Sequence, residues 1–166
     1  MAQITLGGNP IHTIGNLPQN GEQAKDFELI AKDMSRVSLD KFKGSRVILN
    51  VFPSLDTSTC GLSVKHFNQA ASDLENTKIL CISRDTPMAQ GRFCGAEGIE
   101  NVVMLSDVAT GDFGKDYGLQ VIDGPLKDFN SRVVIILDES HKVIYSEQVP
   151  EIAQEPNYEA ALKVLS

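Results

Sequence analysis

The stretch RVILNVFPSLDTSTC, residues 46–60, runs from an apolar segment through a polar one to a cysteine. Its first half, Arg46–Phe52, is rich in β-branched and large apolar residues, a pattern typical of a strand buried on both faces. Pro53 then ends the strand, because proline has no backbone N–H for the ladder. The stretch therefore predicts a central strand of an α/β fold that leads directly to a thiol at Cys60.

A helix is predicted to begin near Cys60. The side-chain oxygens of Asp56, Thr57 and Thr59 can each accept from a free N–H of a first helical turn. After the cysteine, apolar residues recur at helical spacing, at Val64, Phe67, Ala71 and Leu74. Cys60 lies one turn before the first of these on the same stripe, so its sulfur is expected to face a pocket and not open water.

The rest of the chain predicts alternating strands and helices. Strands are expected at Phe27–Ile30, Val37–Leu39, Lys78–Ser83 and Val102–Leu105, with hairpins at Ile4–Ile14, turning at Gly-Gly-Asn-Pro, and at Val133–Leu137 with Val143–Ser146. Helices are expected from Thr86-Pro87 to Gly95 or Gly98, over Ala109–Tyr117 and over Asn157–Leu165. This order is typical of an α/β protein with a mixed sheet and helices on both faces.

Composition narrows the class of protein further. With 166 residues and 42% hydrophobic side chains, the chain can fill one apolar core, and no repeat or linker divides it, so a single domain over residues 1–166 is expected. The net charge of -7 argues against an extended nucleic-acid surface, which needs clustered Lys and Arg. No stretch has the length of a membrane span, and the N-terminal sequence lacks the basic and apolar regions of a signal peptide.

The cysteines indicate a reducing compartment. Cys60, Cys81 and Cys94 form an odd set with no CxxC pair. Secreted domains held by disulfides usually have more cysteines and an even number. A cytoplasmic protein with free thiols is therefore expected.

The position of Cys60 suits a reactive thiol. In the first turn of a helix, free amides and the helix dipole favour negative charge, and a thiolate is a nucleophile. The alternative is a small buried cysteine that only packs. Thr57 can place a hydroxyl beside the sulfur, and Pro53 can close off one side without an N–H that needs a partner. These neighbours favour the nucleophile.

The same residues carry a family resemblance. Pro53-x-x-x-Thr57-x-x-Cys60 resembles the active-site motif of peroxiredoxins, and SLDTSTC, LCISRD and RFCGAEG are similar to the bacterial thiol peroxidase branch in particular. The similarity continues through the N-terminal GNP hairpin, DGPLKDF and EPNYEAALKVL, and so covers nearly the whole chain. It implies a thioredoxin-like fold, a mixed central sheet flanked by helices, with an N-terminal hairpin extension.

The resemblance also implies a mechanism. Cys60 would be the peroxidatic cysteine, Cys94 the resolving one and Arg132 an active-site arginine, with Thr57 and Pro53 completing the site. The enzyme would be an atypical two-cysteine peroxidase that forms a Cys60–Cys94 disulfide within one chain. Its substrates would be hydroperoxides, its reductant thioredoxin and its assembly a homodimer. Because the two thiols are taken to start separate helices, at least one helical turn is expected to unwind before the sulfurs meet.

Other candidate residues have ordinary interpretations. Cys81 lies mid-strand and is expected only to pack. His12, His66 and His141 show no metal-ligand spacing and are expected to be surface or capping residues, so neither a metal nor another cofactor is expected. Arg84 and Arg92, which flank the Cys94 helix, are expected to be solvated.

Two other classes of protein also use a reactive cysteine. A thioredoxin-type disulfide oxidoreductase would carry a CxxC at the helix start, but Cys60 is followed by Gly61-Leu62-Ser63. A non-enzymatic redox sensor would use a Cys60–Cys94 switch to bind a partner. Catalytic turnover separates them, because a sensor is oxidised stoichiometrically whereas an enzyme consumes peroxide in excess.

Overall fold

The computed structural model describes all residues, 1–166. The strands are β1 Gln3–Leu6, β2 Asn9–His12, β3 Glu28–Ala31, β4 Arg36–Ser38, β5 Arg46–Val51, β6 Thr77–Ser83, β7 Val103–Ser106, β8 Val133–Leu137 and β9 Val143–Gln148. The α-helices are α1 Ser58–Ala70, α2 Pro87–Glu97, α3 Asp112–Asp116 and α4 Tyr158–Lys163. No helix is long and apolar enough to cross a lipid bilayer.

Seven strands form one mixed sheet in the order β4-β3-β7-β6-β5-β8-β9, and β1 pairs with β2 in a separate hairpin. The inner strands β5, β6 and β7 are parallel, and the others are antiparallel to their neighbours. The central strands are the most apolar, as expected for strands covered on both faces. The mixed sheet predicted from the order of elements is confirmed.

A hydrophobic cluster covers each face of the sheet. Successive side chains of β5 alternate between them: Val47 and Leu49 belong to one cluster, and Ile48 to the other. The cluster of Ile48 includes residues of α1, α2 and α4, whereas Phe113 of α3 belongs to the opposite one. Helices therefore pack on both faces, and the helices that carry Cys60 and Cys94 share one core.

The limits of α2 follow local capping signals. Thr86 is the N-cap, its side chain accepts from the Ala89 N–H at 3.2 Å, and Pro87 is the first helical residue. Gly98 ends the helix at a φ of 66°, a left-handed conformation that favours glycine. The prediction for this helix is confirmed, but Cys94 lies in its last turn. The expectation that both thiols start helices is therefore wrong for Cys94.

Two predicted elements differ from the structure. The N-terminal hairpin turns at Gly7-Gly8, while Asn9 and Pro10 already belong to β2. The helix expected over Ala109–Tyr117 is reduced to α3, because Gly111 adopts a φ of 73° and a helix cannot pass through that conformation.

Candidate active site

Cys60 and Arg132 are neighbours because their strands pair. β5 leads into the loop before Cys60, and β8 follows Arg132 directly. The two strands are antiparallel, with Val51 opposite Val133, so the end of one meets the start of the other. The Arg132 Nη2 group donates to the Cys60 sulfur at 3.2 Å.

The sulfur lies in a dry, positively charged environment. Cys60 is 0% exposed and Arg132 only 2%. The contact with Nη2 places a positive charge directly beside the sulfur. Because Cys60 has no exposed surface, a reactant reaches the sulfur only when surrounding side chains shift. The sulfur does not face open water, as expected.

Arg132 is held firmly and keeps an unused donor. Its Nε donates to the Ile152 carbonyl at 2.8 Å, which fixes the guanidinium plane. Its Nη1 is buried and has no hydrogen-bond partner. A buried N–H without an acceptor costs about 1–3 kcal/mol, so such a group marks a place where a ligand oxygen can bind.

The first turn of α1 also offers donors. None of the backbone N–H groups of Ser58, Thr59 and Cys60 has an acceptor within the protein. The helix dipole adds positive potential at the same end. Together with Arg132, these groups form an environment suited to an oxygen that develops negative charge.

The predicted side-chain caps of α1 are not made. Thr57 is the N-cap, but its hydroxyl donates to the Ser54 carbonyl at 3.0 Å and makes no hydrogen bond to the Cys60 sulfur. The Thr59 hydroxyl donates to the Ala153 carbonyl at 2.9 Å, and the Asp56 carboxylate accepts no bond from the first turn. The hydroxyls prefer carbonyl acceptors of neighbouring loops, so the first-turn amides stay free.

Pro53 and Cys94 both line the interior near the site. Pro53 is buried and follows Phe52, whose N–H makes the last ladder bond, to the Ile82 carbonyl at 3.1 Å. Cys94 is 5% exposed and belongs to the same hydrophobic cluster as Cys60. Burial raises the pKa of the Cys94 thiol, with a smaller opposing effect from Lys32.

The ring of Phe93 lies between the two cysteine helices. A Cβ atom on Gly61 would stand 3.4 Å from Phe93 Cε2, so the ring is in contact with the turn that carries Cys60. All three cysteines are free thiols. Cys60 lies in the first turn of α1 and Cys94 in the last turn of α2.

Cys81 has the environment of a packing residue. It is fully buried in β6, and burial raises its pKa to about 12. Its only polar contact is with the Asn50 side-chain amide, which donates to the sulfur at 3.6 Å. Such a thiol stays protonated and unreactive at neutral pH.

Several predictions for the remaining side chains need correction. His141 is 5% exposed, and its Nε2 lies 3.1 Å from the Phe42 carbonyl, so it is an interior residue and not a surface one. Arg84 is not simply solvated, because it donates to the carbonyls of Asp107, Val108 and Asp128. His66 is exposed as expected and stacks on Tyr158 with 3.8 Å between ring centroids.

Sequence reasoning missed two residues beside the site. Tyr158 of α4 packs against Phe67 of α1, with 5.4 Å between ring centroids, and burial raises its pKa. Asp85 accepts hydrogen bonds from the loop before α1. The only available signal for either was its place in a quoted motif, EPNYEAALKVL or LCISRD.

Comparison with known proteins identifies the family. A profile of the Redoxin family matches residues 19–162. The chain is 48% identical to a thiol peroxidase of Mycobacterium bovis over 165 residues, 99% of each chain. A peroxiredoxin-like protein from Aquifex aeolicus superposes with a TM-score of 0.94 at 33% identity, covering 99% of this chain and 96% of the other. A thiol peroxidase from Chromobacterium violaceum gives 0.91 at 23% identity, over 98% and 94% of the two chains, and shows the shared fold.

The fold and the site together define a thiol protein of thioredoxin-like architecture, with its cysteine at the start of the helix that follows a central strand. The chain belongs to the Redoxin family, as a peroxiredoxin of the thiol peroxidase branch. The resemblance drawn from the sequence motifs is confirmed, and so is the thioredoxin-like fold with its N-terminal hairpin.

Proposed function

We propose that the chain reduces hydrogen peroxide and organic hydroperoxides through a sulfenic acid at Cys60. The observation that carries this proposal is the contact between Arg132 Nη2 and the Cys60 sulfur, 3.2 Å, with Nη1 of the same guanidinium unpartnered. The first group places a positive charge at the sulfur, and the second can bind a peroxide oxygen. The proposed substrate class also agrees with the name of the relative from Mycobacterium bovis.

The chemistry uses the thiolate as nucleophile. The Cys60 sulfur attacks the terminal oxygen of the hydroperoxide, an S–O bond forms, and the O–O bond breaks. The leaving oxygen takes up a proton and departs as water or an alcohol. Arg132 and the free amides of the first α1 turn stabilise the negative charge on that oxygen as the bond breaks. Pro53 and Thr57 stand at the two ends of the loop that leads from β5 to the Cys60 helix.

Cys94 resolves the sulfenic acid in the second step. Its thiol attacks the Cys60 sulfur, water leaves, and an intramolecular disulfide forms. The shared cluster of the two cysteines and the contact between Phe93 and Gly61 support this pairing. Two electrons from a dithiol then restore both thiols, and we assign that role to thioredoxin.

The setting of the enzyme is also part of the proposal. We propose a cytoplasmic homodimer in which residues 1–166 act as one domain. The odd number of cysteines and the lack of a CxxC pair support a reducing compartment. The hydrogen bonds between the N-terminal hairpin and the loop before α4, such as Thr5 N–H to the Pro150 carbonyl at 2.8 Å, support a single unit.

A coupled assay tests the activity. Thioredoxin, its reductase and NADPH are supplied with hydrogen peroxide or an organic hydroperoxide, and NADPH consumption is followed. The wild-type chain is expected to consume many equivalents of peroxide, and Cys60→Ser none, because a hydroxyl lacks the ionisation and softness of a thiol. Oxidation that stops at one equivalent with thioredoxin present would favour a redox sensor instead.

A further inference from the structure

Asp85 joins the loop before α1 to the start of α2. Its Oδ1 accepts from the Ser54 hydroxyl at 2.7 Å, and its Oδ2 accepts from the Leu55 N–H at 2.8 Å and the Ser83 hydroxyl at 2.7 Å. Two of these donors belong to the loop that connects β5 to Cys60. Asp85 also directly precedes Thr86, the N-cap of the helix that carries Cys94.

The hydroxyl groups of Ser54 and Ser83 both donate to the Asp85 carboxylate. Ser54 Oγ accepts from the Asp56 N–H at 3.1 Å, and Ser83 Oγ accepts from Gln90 Nε2 at 3.2 Å. With N–H groups on the hydroxyl oxygens, each proton points to Asp85. A carboxylate suits this position, because it only accepts, whereas an amide would turn a donor towards one of the serines.

The bonds continue from Asp85 to Thr57. The Ser54 carbonyl accepts both the Thr57 hydroxyl at 3.0 Å and the Thr57 N–H at 3.2 Å. Asp85 thus fixes Ser54, and Ser54 fixes the hydroxyl of the residue that caps the Cys60 helix. The chain of contacts spans β6, the loop and α1.

We propose that Asp85 is a positioning residue for peroxide reduction, acting through Ser54 on the orientation of Thr57. This inference rests on the proposed role of Cys60 as peroxidatic cysteine. Asp85 itself does not touch the sulfur or the substrate. Its carboxylate keeps the loop in the one conformation in which the Thr57 hydroxyl is held at the helix start.

A double-mutant cycle tests the proposal. Asp85→Asn keeps the shape of the side chain but removes one acceptor, and Thr57→Val removes the hydroxyl it is proposed to orient. The rate constant for the oxidation of Cys60 by hydrogen peroxide is measured by rapid quenching, thiol alkylation and mass spectrometry, since the chain has no tryptophan to report the reaction. Asp85→Asn is expected to lower this rate constant about 10- to 100-fold.

The double variant gives the decisive comparison. Because both changes act on one hydroxyl, adding Asp85→Asn to Thr57→Val is expected to lower the rate constant by less than about twofold more. A purely structural role for Asp85 would instead make the two losses multiply. That outcome, or an Asp85→Asn rate within about twofold of the wild type, overturns the proposal.

Control variants distinguish a loss of positioning from a loss of folding and from a failure of the proposed function. Asp138→Asn changes a carboxylate that accepts from the Ser140 and Lys142 N–H groups in the turn at the other end of β8, and is expected to leave the rate constant unchanged. Ser54→Ala removes only the hydroxyl that donates to Asp85. Combined with Thr57→Val in a second double-mutant cycle, it tests the same proposal if Asp85→Asn does not fold. A wild-type chain whose Cys60 is not oxidised by hydrogen peroxide would refute the proposed function itself, which is a different result.

Discussion

Arg132 Nη2 lies 3.2 Å from the Cys60 sulfur, although the two residues are 72 positions apart. The pairing of β5 with β8 creates this contact, and the Ile152 carbonyl fixes the guanidinium through Nε. Both groups are in the core, where the interaction between charges is stronger than in water. The site therefore depends on the pairing of these two strands as well as on the start of α1.

Arg132→Lys is expected to lower the rate constant for oxidation of Cys60 about 100-fold or more. A single ammonium group cannot bond the Ile152 carbonyl and the sulfur and still present a donor to the peroxide. Arg92→Lys, at an exposed position in α2, is the matched control and should leave this step unchanged. A loss of less than about threefold in Arg132→Lys would remove Arg132 from the proposed mechanism.

Cys81→Ser is expected to keep turnover within a few-fold of the wild type. The new hydroxyl is fully buried in β6, so the free energy of unfolding should fall by about 1–3 kcal/mol. Denaturant unfolding measures the stability, and the thioredoxin-coupled assay measures the turnover. Cys81→Ala removes the sulfur without adding a polar group and is the comparison. Detection of Cys81 in a disulfide after peroxide treatment would contradict the packing role.

Acid is expected to release the N-terminal hairpin through Glu151. This carboxylate accepts from the Gly8 N–H, the Thr5 hydroxyl and the Ala153 N–H, each at 2.9 Å. The backbone bonds lower its pKa from 4.5 to about 2, the largest effect being that of Ala153. The pKa of Glu151 is lower in the folded chain than in the unfolded chain. Its stabilisation of the fold is therefore fully present above the unfolded-state pKa and is lost as the pH falls through about 2.

Thermal unfolding between pH 6 and pH 2 checks this prediction. Glu151→Gln should have a lower melting temperature than the wild type at neutral pH. On acidification its melting temperature should fall by less than that of the wild type. Glu139→Gln, at an exposed position in the β8–β9 turn, serves as the control. An equal acid sensitivity of wild type and Glu151→Gln would show that another group is responsible.

Local sequence patterns predict the elements of this fold well. The apolar run before Pro53 gave the central strand, and the Thr86-Pro87 start and Gly98 end of α2 lie where their caps indicate. These features depend on residues that are neighbours in the chain. The failure at α3 has the same local origin, since Gly111 adopts a conformation that periodicity does not detect.

Contacts between distant segments account for what the sequence could not predict. An arginine at the start of a strand is usually solvated, so only the family resemblance pointed to Arg132. The Thr57 hydroxyl donates to Ser54 and not to a group at the sulfur, because the loop brings a carbonyl into reach. His141 follows a turn pattern, yet its ring bonds the Phe42 carbonyl in the interior.

The most direct test of the mechanism is mass spectrometry of the wild type and of Cys94→Ser after one equivalent of hydrogen peroxide. The wild type is expected to form a disulfide between the Cys60 and Cys94 peptides. In Cys94→Ser, Cys60 should be trapped as sulfenic acid, thioredoxin-dependent turnover should fail, and excess peroxide should give the sulfinic acid. Full thioredoxin-dependent turnover in Cys94→Ser, or a Cys60–Cys81 disulfide in the wild type, would contradict the account.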